Sequence, residues 1–144
     1  MINQTMIRQR LTFIKEYLHR LNRLAQIPEK DFFGTDSCAA AESYLRRTLE
    51  AMFDIGRHIV AKSGYLELAQ EYISIARGLQ ELGVIDQDLG EKLIKIAGYR
   101  NRMVHLYNLI TDQELYAIIN HELDNIRLFL QQVIKFRTTC RKSN

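Results

Sequence analysis

Ten consecutive residues, Gly98-Tyr99-Arg100-Asn101-Arg102-Met103-Val104-His105-Leu106-Tyr107, bring an arginine, an asparagine, a histidine and a tyrosine together at spacings that could do chemistry. Arginine offers phosphate a planar, permanently charged fork. Histidine near its ordinary pKa can take or give a proton around neutrality. This combination suits cleavage of RNA without a metal. Attack of a ribose 2′-hydroxyl on its own phosphate needs a base for the attacking oxygen, an acid for the leaving oxygen and a cation beside the crowded phosphorane. The same residue types on one helix more commonly make salt bridges and packing contacts, so spacing alone leaves both readings open.

Helical geometry then restricts what the segment can do by itself. At about 100° per residue, Tyr107 comes back almost above Arg100, whereas His105 lies about 140° around the helix with Asn101 on its side. A straight helix would not converge these groups on one atom. A bend, or a second copy of the helix across a two-fold axis, would. One motif histidine per chain also falls short of paired acid and base work, and a symmetric dimer would supply two.

The rest of the sequence has to position this segment. At 144 residues, 47% hydrophobic and 26% charged with one proline, it reads as a single globular domain, 1–144, rich in helix. No run approaches the roughly 18 apolar residues of a membrane span, and residues 1–6 lack the features of a signal peptide. The expected location is therefore cytoplasmic, with no membrane association. Cys38 and Cys140 have no metal-type spacing and read as ordinary thiols; no metal or other cofactor is expected. Residues 1–26 carry Arg8, Arg10, Lys15, Arg20 and Arg23 against Glu16, and residues 135–144 add Lys135, Arg137, Arg141 and Lys142. If the chain ends lie together, they could form a phosphate-holding patch; solvated helix faces explain the same charges.

Apolar periodicity predicts about five helices. Ile7, Leu11, Ile14, Leu18, Leu21 and Ala25 mark the first, over about 5–26, and Pro28 ends it. A long helix follows over about 36–61, with Asp36 or Ser37 as N-cap and Gly64 as stop. Within it Asp54 and His58, four apart, share a face; they could orient an imidazole near a pocket or simply make a structural hydrogen bond. Ile73, Ala76, Leu79 and Leu82 suggest a shorter helix ending at Gly83, after a connection through Tyr65 whose state is left open.

A fourth helix, opened by Asp86 and Asp88 and carrying Leu89, Leu93, Ile96, Ala97 and Val104 inward, runs into the motif. Gly98 weakens it by about 1 kcal/mol relative to alanine, which points to close packing or a slight bend. Thr111-Asp112-Gln113-Glu114 has the form of a capping box before a fifth helix with inward Leu115, Ile118, Ile119, Leu123, Ile126, Leu130, Val133 and Ile134. Residues 136–144 read as a frayed tail. With no strand alternation, repeat or glycine-rich phosphate loop, the expected fold is all-α, a bundle of antiparallel helices.

Arg100-Asn101-(three residues)-His105-Leu106-Tyr107 resembles the R-x4-H-x-Y signature of the HepT-like ribonuclease toxins, a branch of the HEPN superfamily of all-helical proteins. The resemblance extends to the helix order, to Asp54-Ile55-Gly56-Arg57-His58-Ile59 and to the chain length, so it covers nearly the whole sequence. It implies a HEPN-like bundle and a homodimer whose motif helices meet at a shared cleft, with Arg100 and His105 of both chains cleaving an RNA substrate and Asn101 supporting them. It also implies the toxin role of a type VII-like HEPN/MNT toxin–antitoxin system. Tyr107 would then be the phenol to which a cognate MNT-type nucleotidyltransferase antitoxin attaches AMP. Arg102 departs from the apolar residues expected around the motif; it either extends phosphate binding or faces solvent. A non-catalytic helical module that binds a nucleotide or docks a nucleotidyltransferase is the alternative from a different class.

Overall fold

The predicted helices form in the computed structural model, which describes residues 2–64, 71–104 and 110–143, with side chains through Cys140. They are α1 (Gln4–Ala25), α2 (Glu29–Phe32), α3 (Asp36–Lys62), α4 (Tyr72–Glu81), α5 (Gln87–Val104), α6 (Asp112–His121) and α7 (Leu123–Ser143), with no strand among the described residues. All six apolar positions expected to face inward on α1 are buried. The α1 seam packs antiparallel to α3, so Asn3 meets His58 at one end while Tyr17 meets Tyr44 nearer the other. α4 and α5 form a second antiparallel pair against α3. α6 and α7 close the core.

Several local features depart from the simple periodic pattern, each for a physical reason. Thr35, rather than Asp36 or Ser37, caps α3: its extended backbone leaves Oγ1 to accept from the Cys38 amide at 3.4 Å, and Asp36 already lies in the first turn. The linker contains the one-turn helix α2, which seats Phe32 in the core beside Tyr116, whose hydroxyl donates to the Ile27 carbonyl. The fifth predicted helix divides at Glu122. There the carboxylate, almost fully buried, accepts from Lys95 Nζ at 3.1 Å and from Asn125 Nδ2 at 2.8 Å at the start of α7. Its first half opens with the capping box read from the sequence, Thr111 and Glu114 each accepting from the other's backbone amide.

Ile73, Val104 and Ile134 were expected inside but are exposed, while Ile75 and Phe129 are fully buried. Ile75, Ala76 and Leu79 form the inward stripe of α4, and Ile73 stands about 200° from Ile75 on the helix. Close helix approach occurs at other glycines than Gly98, where an added Cβ would meet nothing within 4 Å. A Cβ on Gly56 would lie 2.6 Å from Ile75 Cγ2, and one on Gly90 would collide with Gln80. Gly56 thus lets α4 sit tightly on α3. The turn after α4 uses Gly83 at φ +73, a conformation open to glycine without strain.

The two ends of the chain lie on neighbouring helices: Arg137 Nε donates to Gln4 Oε1 at 2.7 Å, and Arg127 to Asn22. α7 remains helical through Ser143, beyond residue 136 where fraying was expected. Among the described residues no helix is long and apolar enough to cross a membrane.

Candidate functional site

α5 brings Arg100 to the place where α1, α3 and α4 come together. The Arg100 guanidinium carbon lies 4.2 Å from the centre of the Tyr72 ring, within cation–π range. Tyr72 is the first residue of α4, and its ring meets buried Phe53 of α3 edge-on, with centroids 4.9 Å apart. Arg57 of α3 approaches the same ring at 5.6 Å. Asp54, one turn earlier, pairs with Arg57 Nη1 at 3.2 Å and with Arg10 Nε of α1 at 3.5 Å. Two arginines, Arg57 and Arg100, therefore meet at one aromatic ring, and Asp54 links the first of them to Arg10. A cavity of about 340 Å³ lined by Arg10, Phe13, Arg47, Glu50, Ala51 and Asp54 adjoins them.

Arg100 differs from the other arginines of this cluster in how it is held. Its Nε is sealed from solvent, and among the described residues it has no hydrogen-bond partner and no carboxylate pairs with the guanidinium. Leaving a buried donor unmet usually destabilises by about 1–3 kcal/mol, so such a group in a folded protein calls for an explanation. A ring contacts the flat face of a guanidinium, whereas its N–H donors lie in the plane. Contact with the Tyr72 ring holds Arg100 without neutralising its charge.

Arg102, two residues later, points about 200° away and meets Glu114 of α6. Its Nη1 and Nη2 donate to the two carboxylate oxygens at 2.7 and 3.0 Å. The bond from Arg102 is the main reason Glu114 holds its carboxyl below the usual range, and Arg102 is raised in turn. Arg102 accordingly neither faces solvent unpaired nor offers a free fork to phosphate; it ties the end of α5 to the capping box of α6. Asn101 is half-buried between the two. His105 and Tyr107 lie outside the described residues.

Asp54 and His58 do not act as a pair. While Asp54 turns to the two arginines, His58 Nε2 accepts the Asn3 backbone N–H at 2.8 Å, at the N-cap of α1. Burial, followed by the charge of Lys62, pushes the imidazole below its ordinary pKa, which keeps it a neutral acceptor. His58 therefore serves the α1–α3 seam. Sequence reasoning placed Arg10 only in a basic chain end and linked neither Arg57 nor Tyr72 to Arg100. Arg57 stood inside the Asp54–Ile59 phrase, but nothing local to Tyr72 links it to a residue on another helix.

A second groove, about 570 Å³ and bordered by Arg20, Arg23, Asp36, Ser37 and Tyr44, lies toward the other end of α1. Its Arg20 stacks on Tyr17 and Tyr44 but also binds Glu16 at 2.6 Å, so its charge is already met. Cys38 and Cys140 are free thiols. Among the described residues, no three His, Cys, Asp or Glu side chains gather as metal ligands would.

A family model described as ribonuclease HepT-like matches residues 14–133. A tRNA nuclease HepT from Aphanizomenon flos-aquae (strain 2012/KM1/D3) is 26% identical over 147 residues, spanning 99% of this chain and 97% of that protein. The fold is also similar to that of a tri-AMPylated Shewanella oneidensis HEPN toxin solved in complex with an MNT antitoxin. The TM-score is 0.79 at 23% identity, over 93% of this chain and 99% of that one. A Bacillus subtilis cytosolic protein of unknown function, YutE, superposes with a TM-score of 0.78 at 20% identity, over 96% and 92% of the two chains.

Proposed function

Because the chain belongs to the HepT-like ribonuclease family of HEPN proteins, we propose that it is the toxin of a HEPN/MNT toxin–antitoxin pair, a cytoplasmic, metal-independent endoribonuclease. The observation that carries this reading is Arg100: a guanidinium oriented by an aromatic face, with no carboxylate among the described residues to neutralise it. His105 removes the proton from the ribose 2′-hydroxyl, whose oxygen attacks the adjacent phosphorus. The 5′-oxygen leaves with a proton from an imidazolium, giving a 2′,3′-cyclic phosphate and a 5′-hydroxyl. Arg100 stabilises the charge that builds on the phosphorane oxygens. Two copies of the motif in a homodimer supply the base and the acid together, with Asn101 in support.

The off-switch in this reading is Tyr107. A nucleotidyltransferase antitoxin of the MNT type attaches AMP to its phenol, adding bulk and negative charge to the motif that must bind RNA phosphate. The partner described with the Shewanella oneidensis toxin is of that class. The relative named as a tRNA nuclease makes tRNA the first substrate to try.

The test is incubation of the purified protein with tRNA in EDTA, beside folded His105→Ala. Cleavage by the wild type that disappears in the variant is expected. Equal cleavage by the two proteins, or cleavage that needs an added divalent metal, would contradict the reading. Intact RNA with both proteins would favour the non-catalytic module.

A further inference from the structure

Resting on the ribonuclease reading, the geometry points to Tyr72 as a positioning residue for Arg100: we propose that its ring is the platform that aims the guanidinium at the scissile phosphate. The 4.2 Å contact is the shortest cation–ring approach among the described residues, and among them it is the contact that orients the Arg100 head group. The carboxylate of the cluster, Asp54, is occupied by Arg10 and Arg57. An ion pair to Arg100 would hold it equally well but would cancel the charge that a phosphorane needs. Stacking holds the group and leaves the charge in place.

The platform is itself fixed from beneath. Phe53, 1% exposed, meets the Tyr72 ring at 82° and prevents it from rotating freely. The α4 helix that begins with Tyr72 is seated on α3 through the close approach at Gly56. Arg57, the second cation near the ring, is tied to Asp54, which limits its repulsion of Arg100. A rigid core residue, a ring held edge-on by it and a guanidinium with no carboxylate partner among the described residues thus form one series of contacts running from the core toward the proposed site.

Single-turnover cleavage of tRNA in EDTA by Tyr72→Leu, Tyr72→Phe, Arg100→Ala and Tyr72→Leu/Arg100→Ala tests this, with circular dichroism to confirm folding. Tyr72→Leu is expected to lower the cleavage rate at saturating enzyme by about tenfold with a smaller change in RNA affinity. Tyr72→Phe keeps the ring and should stay within about twofold of wild type. In the Arg100→Ala background, loss of the ring should have no further effect, because Tyr72 acts through Arg100. Undiminished cleavage by Tyr72→Leu, an equal loss in Tyr72→Phe, or the same fold-loss with and without Arg100 would each overturn the role of Tyr72 while leaving the ribonuclease reading intact. Wild-type cleavage by Arg100→Ala would overturn both.

Discussion

Arg100 and Arg102 stand two positions apart on α5 and are held by opposite means. Arg102 gives two parallel N–H groups to Glu114, and each partner's pKa moves so as to keep the pair ionised. Arg100 rests on a ring and retains a donor with no partner. Arg20, at the far end of α1, combines the two arrangements, with rings on its face and Glu16 on its fork. An arginine whose donors are satisfied within the protein stabilises structure, whereas one that is oriented but unpaired is prepared for an anion. In the proposed reading, this difference separates the side of α5 that fastens the helix from the side assigned to the substrate.

Perturbing what lies beneath each side sharpens the contrast. The largest effect is expected at Gly56, where a Cβ would lie 2.6 Å from Ile75 Cγ2 and 3.0 Å from Leu79 Cδ1, both in the core. Gly56→Ala should destabilise the fold by about 1–3 kcal/mol in urea unfolding. Because α4 carries Tyr72, the folded fraction should also cleave RNA more slowly, with the Arg102–Glu114 link unaffected. Unchanged stability would mean that α4 does not sit as tightly on α3 as described.

A smaller effect is expected at His58, on the seam that brings Arg10 to Asp54. The fold lowers its pKa from the ordinary 6.5, so it favours the neutral imidazole that accepts the Asn3 amide. That contribution is complete above the unfolded pKa. It is lost as pH falls from there through the lowered folded value, where protonation removes the acceptor. The urea midpoint should therefore drop as the pH is lowered below 6.5, and the drop should shrink in His58→Gln. An identical pH dependence in the two proteins would sink this assignment.

Features that depend on neighbouring residues along the chain were legible in the sequence. The α1 stripe and the Thr111–Glu114 box follow from helical periodicity and capping chemistry within a few residues, and both formed as expected. Arg100 was identifiable from its motif. Its platform was not, because Tyr72 reaches Arg100 only through the packing of α4 against α5, a relation that no local spacing records. Asp54 and His58 took structural roles, but with other partners than each other. A four-residue spacing placed them on one face, yet partners from α1 and from the same helix drew them apart. Gly98 suggested either close packing or a slight bend; the close approaches are at Gly56 and Gly90.

Whether Arg100 meets phosphate while Arg102 does not can be measured directly as the salt dependence of RNA binding. His105→Ala would serve as the non-cleaving background, compared with the same protein carrying Arg100→Ala or Arg102→Ala. Each lost single-strand phosphate contact reduces the slope of log affinity against log salt by about 0.7. The account predicts that reduction for Arg100→Ala and an unchanged slope for Arg102→Ala. Equal changes in the two variants, or a change with Arg102→Ala alone, would contradict it.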